Sequence, residues 1–125
     1  MMFRVAATAA LSALSLASAQ AQTAAPVQVI NLASYSFNPA PIMLRAGRPV
    51  TLQFINRSKS GHDFTAAKFF SAARILSGPV DGGEVELRPR QMASVTLIPA
   101  AGRYNVYCSH PFHKMFGMKT TILVQ

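Results

Sequence analysis

Apolar and polar residues alternate in a series of short runs, and each run stops at proline, glycine or a cluster of small polar residues. Period 2 is the mark of a half-buried strand, because successive side chains leave opposite faces of a sheet. Val27-Gln28-Val29-Ile30-Asn31-Leu32 has this pattern, and Val50-Thr51-Leu52-Gln53-Phe54-Ile55-Asn56 repeats it with Val50, Leu52 and Phe54 on one side. Phe37-Asn38-Pro39-Ala40-Pro41 reads as a turn, since its two prolines bar a central strand. A short strand over 42–45 follows, then a second turn at Ala46-Gly47-Arg48-Pro49 and a polar loop over 56–61. Further strands are expected over 84–87, 92–98, 102–108 and 119–124, with Tyr104, Val106 and Cys108 sharing a face. Six or seven short strands separated by Pro/Gly turns predict an all-β sandwich or barrel. Only 63–76 breaks the pattern: Phe64, Ala67, Lys68, Phe69, Ala72 and Ile75 approximate a helical stripe, which predicts one short helical insertion.

The first residues have a different character. Arg4 is the only charge before Arg45, an apolar run of small residues follows it, and Ala17-Ser18-Ala19 and Ala19-Gln20-Ala21 each offer a cleavage pattern. A basic start, a short apolar core and small exit residues describe a secretory leader, and the run falls short of the roughly 20 residues that span a bilayer. Residues 1–21 are therefore expected to be a signal peptide, cut after Ala19 or Ala21, and 22–125 a single domain without stable membrane insertion. A periplasmic or otherwise exported location follows from the leader.

Composition narrows the function. One Cys in 125 residues excludes an internal disulfide framework, a Cys-pair zinc site and an iron–sulfur cluster within one chain. Lys and Arg number 12 against 4 Asp and Glu, but they are scattered along the chain. Scattered cations on an exported domain fit a solvated surface or an acidic protein partner and not nucleic acid. Soft metal donors, by contrast, are concentrated. Cys108-Ser109-His110-Pro111-Phe112-His113-Lys114-Met115-Phe116-Gly117-Met118 links two expected strands, and His62 stands alone just beyond the strand ending at Asn56. Thiolate, imidazole and thioether together select copper, and two His, one Cys and a weak axial Met form an electron-transfer set.

On these residues the domain resembles the cupredoxins, the small blue copper proteins. The most specific part is the Cys-x4-His-x4-Met spacing of Cys108, His113 and Met118, similar to the loops of rusticyanin and auracyanin. The resemblance implies a Greek-key β-sandwich or barrel holding one copper ion per chain through His62, Cys108, His113 and Met118. His110 and Met115 are extra donors in the loop: His110 is expected to face solvent, although an alternative register through it stays open, as does Met115 as the axial donor. Gly61 precedes His62, and the resemblance implies a weak further contact from its carbonyl, or the glycine only serves a turn. By the same resemblance Asp63 is expected to bond the Ser109 backbone or hydroxyl. The implied function is one-electron carriage, with copper handling (delivery, storage or tolerance) as the alternative and no catalytic role. An acidic redox partner is expected to dock near Phe112, His113, Met115 and Phe116, with Lys114 and Lys119 at the rim, on a monomer.

Overall fold

A computed structural model describes residues 24–125; the expected leader, its cleavage site and the domain boundary at 22 lie outside the described residues. Ten strands form two five-stranded mixed sheets around one core. The first sheet contains β1 (Val27–Ala33), β2 (Ser36–Asn38), β4 (Val50–Asn56), β6 (Arg74–Ser77) and β8 (Met92–Ile98), in the order β2-β1-β4-β8-β6. The second contains β3 (Ile42–Leu44), β5 (His62–Thr65), β7 (Glu84–Leu87), β9 (Gly102–Tyr107) and β10 (Lys119–Val124), in the order β3-β10-β9-β5-β7. Among the described residues a single short helix, α1 (Ala67–Ala72), lies between β5 and β6. This is the expected all-β sandwich with one helical insertion.

The alternation in the sequence becomes the two inner faces. Ile30, Leu32, Leu52, Phe54, Val95 and Leu97 come from the first sheet, and Ile42, Phe64, Val85, Leu87, Val106 and Ile122 from the second. Each fully buried Leu, Ile, Val or Phe contributes roughly 1.5–3 kcal/mol of transfer free energy. Parallel pairing of β1 with β4 and of β10 with β3 stitches together segments that a meander would leave apart. None of the described residues forms a helix long and apolar enough to cross a membrane.

Two expectations need correction. The strand count is ten because short edge strands escape a periodicity search: β2 runs through Phe37 and Asn38, where the prolines suggested only a turn. β2 pairs with β1 alone, the edge position that a following proline tolerates. The 63–76 stripe is also not one helix. Phe64 belongs to β5, α1 covers only the middle, and Ile75 sits on β6 at 40% exposure. All four residues of β5 are buried, so that strand shows no alternation for period 2 to detect. Six residues are too few for a stable isolated helix; burial of Phe69 and Phe70 holds α1 on the core.

Register brings several chain segments to one end of the sandwich. His62 at the start of β5 pairs with Leu87 at the end of β7, and Tyr107 at the end of β9 pairs with Lys119 at the start of β10. The loop from Cys108 to Met118 therefore closes over His62.

Candidate metal centre

Cys108 directly follows β9 and is fully buried, as is His62 on β5. The loop between them and β10 folds back through its own backbone. The Met118 N–H donates to the His113 carbonyl at 3.0 Å, and the Cys108 N–H donates to the Met118 carbonyl at 3.1 Å. Gly117 makes this return possible at φ 96, a left-handed conformation that disfavours side chains. His113 is thereby carried onto Cys108 and His62. The three donor atoms form a compact triangle: Nδ1 of His62 to Nδ1 of His113 3.1 Å, Sγ of Cys108 to His113 Nδ1 3.4 Å, and Sγ to His62 Nδ1 3.8 Å. A triangle with these edges has its centre about 2.0 Å from every corner, close to ordinary metal–nitrogen and just inside metal–sulfur bond lengths. Met118 is fully buried at the loop's end, tied by its backbone to two of the three donors. Two imidazoles, a thiolate and an apolar-environment thioether are the donor chemistry of copper, so the residues fit that ion.

The surrounding hydrogen bonds orient the donors. Ser34, just after β1, places its hydroxyl 3.1 Å from His62 Nε2, leaving Nδ1 turned to the triangle. The Asp63 N–H donates to Cys108 Sγ at 3.4 Å, and the His110 backbone N–H also favours charge on that sulfur. Asp63 and Ser109 meet as expected: the Ser109 N–H donates to Oδ1 at 2.8 Å, its hydroxyl donates to Oδ2, and the Thr65 hydroxyl donates to Oδ1 at 2.7 Å. Burial pushes the Cys108 thiol above its usual range, against the two backbone N–H groups that pull it down. Burial, reinforced by the His113 and His110 rings, pushes His62 below the usual imidazole range. Both shifts favour the neutral forms of these two donors, the thiol of Cys108 and the uncharged imidazole of His62.

His110 departs from expectation. It is not simply solvent-facing: its side chain is 28% exposed, its Nε2 lies 2.8 Å from Glu86 Oε1, and its ring stacks on His113 at 5.4 Å. Gly61 makes room for it. A Cβ there would lie 3.1 Å from His110 Cε1, and Gly61 has no left-handed φ, so close approach to the His110 ring and not backbone conformation is what favours glycine. Met115 is 81% exposed, and Phe112 and Phe116 in the same loop are exposed too, at 66% and 62%. Three contributors escaped the sequence reading. Tyr35 meets the His113 ring edge-on at 5.0 Å and Phe116 at 5.1 Å. Ser34 holds His62, and Asn56 donates to the Ser60 and Arg88 carbonyls, fastening the loop before His62. All three hold loops from other strands, and no donor spacing marks them.

Fold and donor set together define a cupredoxin. The cupredoxin-like domain profile matches residues 5–124, nearly the whole chain, and the chain belongs to that family. Similar solved structures include auracyanin B, at 23% identity and TM-score 0.61 over 83% of this chain and 91% of that one. Auracyanin A, described as a "blue" copper protein from the green thermophilic photosynthetic bacterium Chloroflexus aurantiacus, has 19% identity and TM-score 0.59 over 82% of this chain and all of that one. The McoA multicopper oxidase of Aquifex aeolicus has 15% identity and TM-score 0.63, covering 81% of this chain but only 29% of the oxidase. At these identities the likeness is one of fold. No curated protein sequence gives a match.

Proposed function

We propose that this chain is an exported copper protein that carries single electrons, holding one ion through His62, Cys108, His113 and Met118. The observation that carries this reading is the triangle of His62, His113 and Cys108 with edges of 3.1–3.8 Å, with Met118 buried at the end of the same loop. Copper bound there supplies a one-electron couple. The chain's contribution is to hold the donors still and keep water out. His62 stands on a paired strand and is pinned by Ser34, while Cys108 is held between the Asp63 and His110 N–H groups. Rigid donors need little rearrangement when charge changes. Outer bonds of this kind also tune the metal's electronics.

His113 is the half-exposed donor, and Tyr35, Phe112, Met115 and Phe116 surround it with exposed apolar surface. An acidic redox partner docking on this patch comes close to the centre, with Lys114 and Lys119 nearby to speed encounter. The leader pattern of residues 1–21 supports export, and a periplasmic site of action is part of this reading. Three histidines, of which His110 is tied to Glu86, favour a carrier over an enzyme, because they are too few to supply the additional His ligands of a second copper site.

A second reading, copper delivery or storage, draws on Met115, an exposed thioether near His113 that suits passing an ion on. Titrating the protein with Cu(II) under visible absorption and EPR, beside Cys108→Ala, tests the site. An intense thiolate-to-copper band lost in the variant is expected, and a folded protein without the band overturns the assignment. Fast reversible self-exchange then favours the carrier, and ready loss of Cu(I) to a chelator favours handling.

A further inference from the structure

Charge is segregated about the metal loop. All four carboxylates fall between Asp63 and Glu86, and Asp63, Glu84 and Glu86 gather on the β5–β7 side of the loop. On the other side, a cleft of about 670 Å³ runs along the outer face of β9 and β10. Arg103, Lys114 and Lys119 line it, together with Tyr107, Thr121 and Pro41, and no carboxylate does. Among the described residues the only ion pairs are those of His110, so these three cations are all unpaired. Lys114 lies over the Tyr107 ring at 4.8 Å, which keeps its charge above the cleft. Cross-strand register puts Tyr107 opposite Lys119 and Arg103 opposite Leu123, so cations stand at both ends of the cleft with hydroxyl and apolar surface between.

We propose that this β9–β10 cleft binds an acidic peptide segment of a protein partner. A single small anion would engage one end; cations at both ends, separated by four residue positions along β9 and β10, suit several carboxylates spaced along an extended chain. Lys114 belongs to the metal loop and Lys119 follows Met118, so the cleft is continuous with the apolar patch around His113. The partner is thereby oriented: its acidic segment lies along β9–β10, and β7 with its carboxylates repels that segment from the opposite flank. The inference rests on the docking reading above for the partner's nature, while the cleft's preference for acidic segments rests on its own charges.

The test is a hexaglutamate peptide titrated into the isotopically labelled Cu(I) protein, followed by amide chemical shifts. Saturable shifts at Arg103, Tyr107, Lys119 and Thr121 are expected. Affinity should fall about tenfold or more in Arg103→Glu/Lys119→Glu and severalfold in the milder Arg103→Gln/Lys119→Gln, as truncating charge partners in a shared site predicts. The equal charge change Arg48→Glu/Arg57→Glu, away from the cleft, should leave affinity within about twofold. Shifts scattered over the surface, or equal losses in both charge reversals, overturn the proposal. So does inorganic phosphate producing the same shifts at equal concentration, which would make the cleft a small-anion site only. If the copper reading fails, it fails in the absorption spectrum, and the same titration on the metal-free chain still decides the cleft.

Discussion

Asp63→Ala removes the one side chain that ties β5 to the residue after Cys108. Asp63 is 1% exposed and accepts three hydrogen bonds, two from Ser109 and one from Thr65. Bonds to a charged acceptor are each worth about 1.5–3 kcal/mol net. The full sum is not expected. Thr65 keeps Glu84 as a second acceptor at 3.1 Å, Ser109 is exposed enough to find water, and the carboxylate's own desolvation cost disappears. About 2 kcal/mol should remain, or roughly 8–16 °C in Tm for a domain of this size. Urea denaturation of the metal-free protein measures it as a lower midpoint at unchanged slope. Asp63→Asn keeps an acceptor for the Ser109 N–H and should lose about half as much. A double-mutant cycle with Ser109→Ala should give a coupling energy of about 1 kcal/mol. A loss below about 0.5 kcal/mol, or no coupling to Ser109, would show that the carboxylate does not fasten the loop.

Three further outcomes follow from the same structure. Metal-free stability should be greatest between pH 6.5 and 9.0, the usual values of His62 and Cys108. Below 6.5 the unfolded chain takes a proton that folded His62 refuses, and above 9.0 it releases one that folded Cys108 keeps, so the urea midpoint falls on both sides. A midpoint that keeps rising beyond either limit contradicts this. Ser34→Ala frees the His62 ring and should weaken copper binding about 10-fold or more, read by competition with a chelator; unchanged affinity would remove Ser34 from the site. Gly61→Ala sets a methyl 3.1 Å from the His110 ring and should break the Glu86 contact at a cost of about 1 kcal/mol. Unchanged His110 ring resonances in the variant would refute that packing.

Much of the fold was legible because burial on one face writes itself as alternation: β1, β4, β8, β9 and β10 could be read from period 2. What failed to show was structure without that asymmetry. β5 is buried throughout and mimicked a helical stripe with α1, while β2 and β6 are edge strands fixed by pairing and not by pattern. The metal donors followed the same rule. Cys108, His113 and Met118 are near in sequence, so their chemistry could be read from spacing, and Asp63 was found through its neighbour His62.

Residue identity alone therefore determined the donor types, the single thiol, the cationic excess and the all-β class. Tertiary structure decided which donors converge, since His62 reaches Cys108 only through the β5–β9 arrangement and the fold of the loop. It also decided that His110 is tied to Glu86 over Gly61, that Tyr35 covers His113, and that cations scattered along the chain share one cleft on β9 and β10. The physical reason is common to all four. Local propensity and pattern act within a strand or turn, whereas the distance between two side chains on different strands is set by register and sheet packing, which no short segment encodes.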